Sequence, residues 1–279
     1  MQNQDLRLAV LIDADNVPRK YIKPVMEEIA VYGNPTLKRI YGDWTAPSLS
    51  KWKESLLENA LTPIQQYGYT TGKNSTDSAM IIDAMDILYS GNVDGFCLVS
   101  SDSDFTRLAI RLREAGKKVI GLGERKTPNP FIVACDRFIY IEVLAKQAAP
   151  QAAAPPVVKP QRKKAPQAAA AIQIQPSAPP PVPPTDTPSD APSDTKAKTP
   201  VPPEIIGYIS QTIEDVGDED GWAYLGEVGS LLQKKRPDFD SRNYGYKKLS
   251  SMLESCGHFE VDFRGNASNG KLIYVRVKR

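Results

Sequence analysis

The sequence predicts an α/β fold, a doubly wound and mostly parallel sheet, joined by a disordered linker to a small C-terminal α+β domain of winged-helix type. Up to residue 146, apolar runs typical of strands alternate with amphipathic helical stretches. This alternation implies right-handed crossovers and a sheet covered on both faces. Residues 147–203 hold 16 of the 24 prolines and no aromatic residue, so they cannot form a packed core. The predicted parts are therefore residues 1–146, the linker 147–203 and residues 204–279.

The first part predicts strands and helices in alternation. Its predicted strands are LAVLID, LKRIYG, TPIQQYG, FCLVSS, KKVIGLG and FIYIEVL. Its predicted helices run from Pro18 to about Val31, through SLSKWKESLLENA, from NSTD onward, and from Asp104 to Ala115. The last part predicts helices at 204–215, 223–235 and 241–255, followed by the hairpin strands FEVDFR and LIYVRVKR joined by GNASNG.

Composition narrows the chemistry. The composition of 41% hydrophobic and 24% charged residues is typical of a globular protein. The sequence has no apolar run of the ~18 residues that a membrane helix needs, and its first residues do not resemble a secretory signal peptide. The chain is therefore predicted to be cytoplasmic and without a membrane partner. Cys97, Cys135 and Cys256 form no CxxC pair, which argues against a disulfide framework and a zinc site. The single histidine, His258, excludes most histidine-based mechanisms. Any catalysis is expected to use carboxylates, lysines or hydroxyls.

The stretch LVSSDSDF places Asp102 and Asp104 directly after a buried strand. An unpaired buried carboxylate costs several kcal/mol, so these acids need compensation. A bound cation or a basic ligand would provide it. Equally, Asp102 or Ser103 would cap the following helix. This stretch alone leaves the two explanations open.

A second strand ends in the same way, because LIDADN delivers Asp13, Asp15 and Asn16 to the same end of the sheet. Capping explains one such strand end better than two. In such sheets, ligands bind outside the carboxyl ends of the strands, where the strand order reverses.

The helix after KNST adds a third acid. Asp77 lies on one helical stripe with Ile81, Ala84 and Leu88, and we expect this stripe to face the sheet. Asp77 should therefore point at the other acids. The alternative is that Asp77 is simply an acid in a first helical turn, where the helix dipole favours it.

If Asp13, Asp77, Asp102 and Asp104 converge, they repel one another unless a hard divalent cation binds between them. Mg²⁺ or Mn²⁺ are the candidate ions. Acid-only sites of this kind support phosphoryl transfer without a histidine.

In their order along the chain, LIDADN, the KNSTD helix start and LVSSDSDF resemble the NYN domain, a branch of the PIN-like ribonucleases, over about residues 6–143. The resemblance implies a metal-dependent ribonuclease. It implies catalytic roles for Asp13, Asn16, Asp77, Asp102 and Asp104, with the four aspartates as metal ligands.

Two other functions remain open. A phosphatase of the haloacid dehalogenase type is suggested by Asp13-Ala14-Asp15 and by SSDSD, but it leaves Asp77 without a role and has only Lys73 or Thr70 as further candidates. A non-catalytic adaptor that binds RNA or a protein would use the acids structurally.

Residues 221–261 resemble the LOTUS domain, also called OST-HTH. The matching positions are Trp222, Pro237, Phe239, Tyr244, Gly245, Lys248 and Leu249. The resemblance implies RNA binding, and in some members a protein partner instead.

A basic outer face on the predicted helix 241–255 supports RNA binding. The candidate RNA-binding residues are Arg242, Tyr244, Lys247 and Lys248. A merely solvated helix face is the alternative. Trp222 and Phe239 are expected in the core, and the linker is expected to act as a loose tether without a fixed contact between the domains.

Overall fold

A computed structural model of the chain describes residues 6–67, 75–148, 200–264 and 272–278. Most of the predicted linker lies outside the described residues, as do Thr70, Lys73 and the hairpin loop GNASNG. The predicted boundaries at residues 146 and 203 therefore remain proposals. Within the described residues, no helix is both long and apolar enough to cross a membrane.

The N-terminal part contains six strands and six α-helices among its described residues. The strands are β1 (Arg7–Asp13), β2 (Asn34–Gly42), β3 (Thr62–Gln65), β4 (Gly95–Val99), β5 (Lys118–Gly123) and β6 (Arg137–Tyr140). The helices are α1 (Ile22–Ile29), α2 (Lys53–Glu58), α3 (Ser75–Ser90), α4 (Thr106–Glu114), α5 (Asn129–Ala134) and α6 (Ile141–Ala148). Short 3₁₀ turns lead into α1, α2 and α4.

The sheet has the order β3-β2-β1-β4-β5-β6, and every neighbouring pair is parallel. The predicted doubly wound sheet is confirmed. The strand order reverses between β1 and β4, so the crevice expected for a ligand lies outside the carboxyl ends of these two strands.

Central strand β1 is buried on both faces, which explains its continuous apolar sequence. Leu8, Val10 and Ile12 pack on the face covered by α1 and α6. Ala9 and Leu11 pack on the face covered by α3, α4 and α5. The two cores fix the sheet between its helices and thereby fix where β1 ends.

Only the first three residues of the predicted strand FIYIEVL lie in a strand, and the other four lie in a helix. β6 ends at Tyr140, and α6 begins at Ile141. Ile141 and Leu144 both reach the core beside α1, at a spacing of three residues that suits a helix. A short apolar run does not distinguish the two structures by itself, and helix α5 was not predicted at all.

The C-terminal part consists of helices and a small antiparallel sheet, as predicted. Its elements are α7 (Pro203–Val216), β7 (Ala223–Tyr224), α8 (Leu225–Lys235), α9 (Leu249–Cys256), β8 (Phe259–Arg264) and β9 (Leu272–Val277). The sheet order is β7-β9-β8.

The predicted single helix 241–255 was wrong. Ser241–Tyr244 form a 3₁₀ turn, and Gly245 ends this turn with φ of 85°. This left-handed conformation favours glycine and breaks the helix. Lys248 is extended, and α9 begins at Leu249. Tyr244, Lys247 and Lys248 therefore do not share one helical face.

The expectation of no fixed contact between the two ends of the chain was also wrong. The described residues of both parts form one compact unit. The Phe138 N–H donates a hydrogen bond to the Pro237 carbonyl over 2.9 Å. Arg242 donates two hydrogen bonds to the Glu28 carboxylate.

Candidate acidic site

The acidic residues lie at the point where the strand order reverses. Ile12 in β1 pairs with Val99 in β4, so the residues that follow these strands emerge side by side. Asp13 is the last residue of β1, and the loop after β4 carries Asp102 and Asp104. Asp77 lies in the first turn of α3, which packs on β1. The parallel sheet thus brings three separate segments to one edge.

Three carboxylates meet in this crevice. One oxygen from each of Asp77, Asp102 and Asp104 lies within 4.8 Å of the others. Asp77 is buried, Asp102 is half-buried and Asp104 is exposed. The three residues thus form a cluster that is open to solvent on one side.

Asp102 has the capping role that its sequence left open. Its side chain is the N-cap of the 3₁₀ turn Ser103–Phe105 and accepts a hydrogen bond of 2.9 Å from the Asp104 N–H. Only one carboxylate oxygen makes this bond, and a carboxylate has about four lone-pair sites. Asp102 therefore has acceptor capacity left for a cation.

Asp13 lies behind this cluster and is fully buried. One of its oxygens accepts from the backbone N–H groups of Asp15 and Asn16 at 3.0 and 3.2 Å. The other accepts from Asn16 Nδ2 at 2.7 Å and from Ser100 Oγ at 2.8 Å. Four donors match the acceptor sites of one carboxylate. Direct metal ligation by Asp13 stays a prediction, and it would require the exchange of one of these donors.

Asn16, predicted as a catalytic residue, lies beside Asp13 and donates to it twice. Ser100 also donates a hydrogen bond to Asp13, and the sequence did not lead us to predict it. It donates to Asp13 and accepts from the Asp102 N–H at 3.1 Å, so it connects the ends of β1 and β4. The sequence feature that could have indicated Ser100 is its position in SSDSD, one residue beyond a strand that pairs with β1.

The neighbouring acids raise the proton affinity of Asp77. Burial, followed by the charges of Asp13, Asp102 and Asp104, raises the pKa of Asp77 to about 6. Burial also raises the pKa of Asp13, although the hydrogen bonds from Asn16 and Ser100 oppose that shift. Without a cation the cluster holds unfavourable negative charge.

This repulsion predicts that Asp77→Asn stabilises the metal-free protein at neutral pH. Between its unfolded pKa of 3.8 and its folded pKa of about 6, Asp77 binds more protons in the folded state. Its contribution to stability therefore falls as pH rises from about 4 to about 6. At pH 7 in EDTA, the variant should gain about 1–2 kcal/mol, a rise in Tm of about 2–8 °C.

The gain should shrink to a small remainder near pH 4, where Asp77 is protonated in the folded state and about half ionised in the unfolded state. The matched control is Asp86→Asn, on the exposed side of the same helix, which should leave Tm unchanged. Thermal unfolding in EDTA at both pH values measures the difference. A lower Tm for Asp77→Asn at pH 7 would contradict the repulsion.

A cleft of about 490 Å³ opens beside the acidic site. Asp15 and Asn16 belong to its lining. Three basic side chains line the same cleft, those of Arg19, Lys51 and Lys126. The lining also contains Glu124, which pairs with Lys126 over 2.6 Å, so Arg19 and Lys51 supply most of the cleft's positive charge. Basic side chains in such a cleft suit the phosphates of a polyanionic strand.

The predicted RNA-binding residues of the C-terminal part differ in their exposure. Lys247 and Lys248 are exposed, as expected. Tyr244 is half-buried and packs against the C-terminal core. Arg242 is 17% exposed and is paired with Glu28 and Asp240, so a role for it in RNA binding stays a prediction.

The two aromatic residues expected in the core differ. Phe239 is buried, as expected. Trp222 is only partly buried, and the guanidinium groups of Arg264 and Arg276 each lie 4.7 Å from its ring centroid.

The fold and this site define an α/β protein with a carboxylate cluster at the reversal of its strand order, extended by a module of helices and a small antiparallel sheet. The chain carries an NYN domain over residues 7–142 and an OST-HTH/LOTUS domain over residues 200–270. NYN domains are PIN-like domains of nuclease type, and OST-HTH/LOTUS domains are associated with RNA binding. Both resemblances inferred from the sequence are confirmed.

Several proteins without an assigned function are similar to this chain. An uncharacterised protein of Methanocaldococcus jannaschii is 28% identical over 121 residues, which are 42% of this chain and 47% of that protein. This chain thus spans about half the length of that curated relative.

Three solved structures are also similar. A Vibrio parahaemolyticus protein of unknown function is 22% identical with a TM-score of 0.43, over 50% of this chain and 96% of that one. An uncharacterised Nitrosomonas europaea protein is 34% identical with a TM-score of 0.27, over 34% and 93%. A Chromobacterium violaceum protein is 31% identical with a TM-score of 0.24, over 29% and 86%.

Proposed function

We propose that this chain is a metal-dependent ribonuclease that cleaves RNA phosphodiester bonds and holds its substrate partly through the OST-HTH/LOTUS domain. The observation that carries the proposal is the meeting of Asp77, Asp102 and Asp104 within 4.8 Å inside an NYN domain. Such a cluster is costly unless it binds a cation, and nucleases use cations to act on phosphodiesters.

The donor set suits Mg²⁺ or Mn²⁺. It consists of carboxylate oxygens, which hard divalent cations prefer, and neither cysteine nor histidine belongs to it. Asp77, Asp102 and Asp104 would hold the ion, and Asp13 would add negative charge from behind. A bound divalent cation would polarise the scissile phosphate and help to activate water for its attack.

The remaining residues position the acids and the substrate. Asn16 and Ser100 fix the Asp13 carboxylate by hydrogen bonds, which keeps its charge at the strand end. Arg19 and Lys51 supply positive charge along the adjacent cleft, where Lys126 is paired with Glu124. A single RNA strand would lie in this cleft with its backbone phosphates against these side chains.

A phosphatase of the haloacid dehalogenase type has less support. It would use Asp13 as a nucleophile that forms a covalent aspartyl-phosphate. Asp13 is fully buried, and each of its two carboxylate oxygens accepts two hydrogen bonds. Its further candidates, Lys73 and Thr70, lie outside the described residues.

The purified chain should therefore be incubated with single-stranded RNA, structured RNA and a generic aryl phosphate, each with Mn²⁺, with Mg²⁺ and with EDTA. We expect cut RNA only with a cation, and essentially no hydrolysis of the aryl phosphate. Robust aryl phosphate turnover with intact RNA would favour the phosphatase. RNA binding without cleavage under every condition would favour a non-catalytic adaptor.

Replacement of Lys247 and Lys248 by Ala should weaken RNA binding. Both side chains are exposed, and each phosphate contact contributes to affinity through the release of counterions. We expect about a 10-fold higher Kd, a salt dependence reduced by about one to two units of slope, and a raised KM with kcat nearly unchanged.

Binding measured at several salt concentrations, together with steady-state cleavage, tests this expectation. The matched control is Lys23→Ala on α1, which is also exposed, lies in the other domain and lines neither the acidic site's cleft nor the cavity beside Lys247 and Lys248. Unchanged affinity and KM in the double variant would remove these lysines from the RNA contact. A protein partner would then be the better assignment for the C-terminal domain.

A further inference from the structure

We propose that residues 236–242 are a docking segment that holds the OST-HTH/LOTUS domain on strand β6, the open edge of the NYN sheet, within the same chain. The proposal replaces a loose tether by a fixed placement of the C-terminal domain. Its consequence for RNA rests on the ribonuclease proposal, but the docking itself does not.

Strand β6 has the properties of an edge that needs cover. It is the last strand of the sheet and pairs with β5 on one side only. An uncovered edge strand presents backbone groups that pair readily with other chains. Here the outward N–H of Phe138 donates to the carbonyl of Pro237 over 2.9 Å. The docking segment thus occupies part of this edge.

The side chains of the docking segment alternate between the two domains. Asp238 accepts a hydrogen bond of 3.1 Å from the Tyr140 hydroxyl, and Asp240 accepts one of 3.3 Å from Arg137. Phe239 between them is buried in the C-terminal core. The segment turns at Pro237 and Asp238, where the Phe239 N–H donates to the Arg236 carbonyl over 3.0 Å. One short segment thus contacts both domains.

A partly buried ion pair adds to this contact. Arg242 donates to both oxygens of Glu28, at 2.8 and 2.7 Å, and the two side chains are only 17% and 10% exposed. Asp240 accepts further hydrogen bonds from Arg242, and the Tyr32 hydroxyl donates to Glu28 over 2.9 Å. Two-pronged Arg–carboxylate pairs are strong and directional.

The charge of Arg242 has a measurable effect on its partner. Burial raises the pKa of Glu28, but the hydrogen bonds and positive charge of Arg242 outweigh it, so the pKa lies below its ordinary value. Glu28 therefore stays ionised at neutral pH, and removal of either partner would leave a buried charge without compensation.

The occupant of this surface is the chain's own C-terminal domain. Helix α6 ends at Ala148 and α7 begins at Pro203, so both domains belong to one chain joined by the intervening residues. Because the two domains belong to one chain, docking is intramolecular, which raises the effective concentration of the second domain at this surface. A second copy at micromolar concentration would have to compete with it.

Docking also places the candidate RNA-binding lysines beside the NYN domain. Lys247 and Lys248 line a cavity of about 370 Å³ together with Glu28 and Arg137. RNA held by these lysines would therefore reach the NYN domain from a fixed position, and its cuts would fall at a narrow set of positions.

The first test uses the unaltered full chain without RNA and measures site-resolved hydrogen exchange. In the docked state the Phe138 amide should be protected, because its outward N–H is bonded to Pro237. The internal reference is the amide of Val10, in a fully buried central strand. Exchange at Phe138 as fast as in an exposed amide, with Val10 protected, would overturn the docking.

The second test reverses one charge. Glu28→Arg should repel Arg242, accelerate exchange at Phe138 at least about 10-fold and increase the radius of gyration in small-angle scattering. The control is Glu27→Arg, an exposed neighbour on the same helix, which should change neither quantity. Protection of Val10 verifies that each variant is folded. Equal behaviour of the two variants would overturn the role of the Glu28 pair.

Light scattering identifies the occupant. We expect a monomer for the unaltered chain and for both variants. A dimer of the unaltered chain that dissociates in Glu28→Arg would assign the surface to a second copy and overturn docking within one chain.

Because these measurements use no RNA, their failure leaves the ribonuclease proposal standing, and absence of cleavage leaves the docking standing. With an RNA that carries one anchoring site, Glu28→Arg should broaden the distribution of cut positions relative to Glu27→Arg. Equally narrow distributions would contradict the fixed placement of RNA.

Discussion

Replacing Asp102 by Asn is expected to abolish RNA cleavage while the fold stays intact. An Asn side chain is as good an N-cap as Asp, so its oxygen can still accept the hydrogen bond from the Asp104 N–H. The variant loses one of the three carboxylates that meet within 4.8 Å. It therefore removes a proposed metal ligand without removing a cap.

The rate of RNA cleavage should fall at least about 100-fold, because even residues outside the direct ligand set change metal affinity or activity by 10- to 100-fold. Tm in EDTA should be equal or higher, since the change removes a negative charge that raises the pKa of Asp77. Cleavage kinetics with Mn²⁺ and thermal unfolding in EDTA measure both effects. The control is Asp86→Asn on α3, which should behave like the unaltered chain. Cleavage retained by Asp102→Asn would remove Asp102 from the site.

Asp13→Ala should lower the stability of the protein, whereas Asp102→Asn should leave the Tm equal or raise it. It leaves Ser100 Oγ, Asn16 Nδ2 and two backbone N–H groups without their acceptor at a buried position. Each unsatisfied buried group costs about 1–3 kcal/mol, while loss of a buried charge returns part of that cost. We expect a net loss of about 2–4 kcal/mol, or a Tm lower by about 4–16 °C.

The control for this change is Asp15→Ala, an exposed acid two residues further on, whose backbone N–H is retained. Thermal and urea unfolding in EDTA compare the two variants. Equal stability of Asp13→Ala and Asp15→Ala would show that the four hydrogen bonds do not hold the end of β1.

The convergence of the acids could be predicted because it follows from topology. Strands that alternate with helices place their carboxyl ends at one edge, and the stripe of α3 aims Asp77 at that edge. The saturation of Asp13 could not be predicted, since it depends on the pairing of β1 with β4 that brings Ser100 beside it. The local sequence pattern predicts where the strands are, but it does not predict which residues of neighbouring strands pair.

The C-terminal surface was predicted less well for two physical reasons. Gly245 adopts a left-handed conformation that a helical pattern does not reveal, and it separates Tyr244 from α9. The partner of Arg242 is Glu28, more than 200 residues away in the chain, and no local pattern indicates such a pair. Arg242, predicted to belong to a basic RNA-binding surface, therefore takes part in a contact between the domains.

The central claim is that RNA cleavage depends on a cation held by Asp77, Asp102 and Asp104. The most direct measurement is the initial rate of cleavage of a labelled single-stranded RNA by the EDTA-treated full chain, as Mn²⁺ is titrated in. The account predicts no cleavage without the ion, a saturable increase with it, and no increase in Asp102→Asn. Cleavage at the same rate in EDTA, or an identical titration curve for Asp102→Asn, would contradict it.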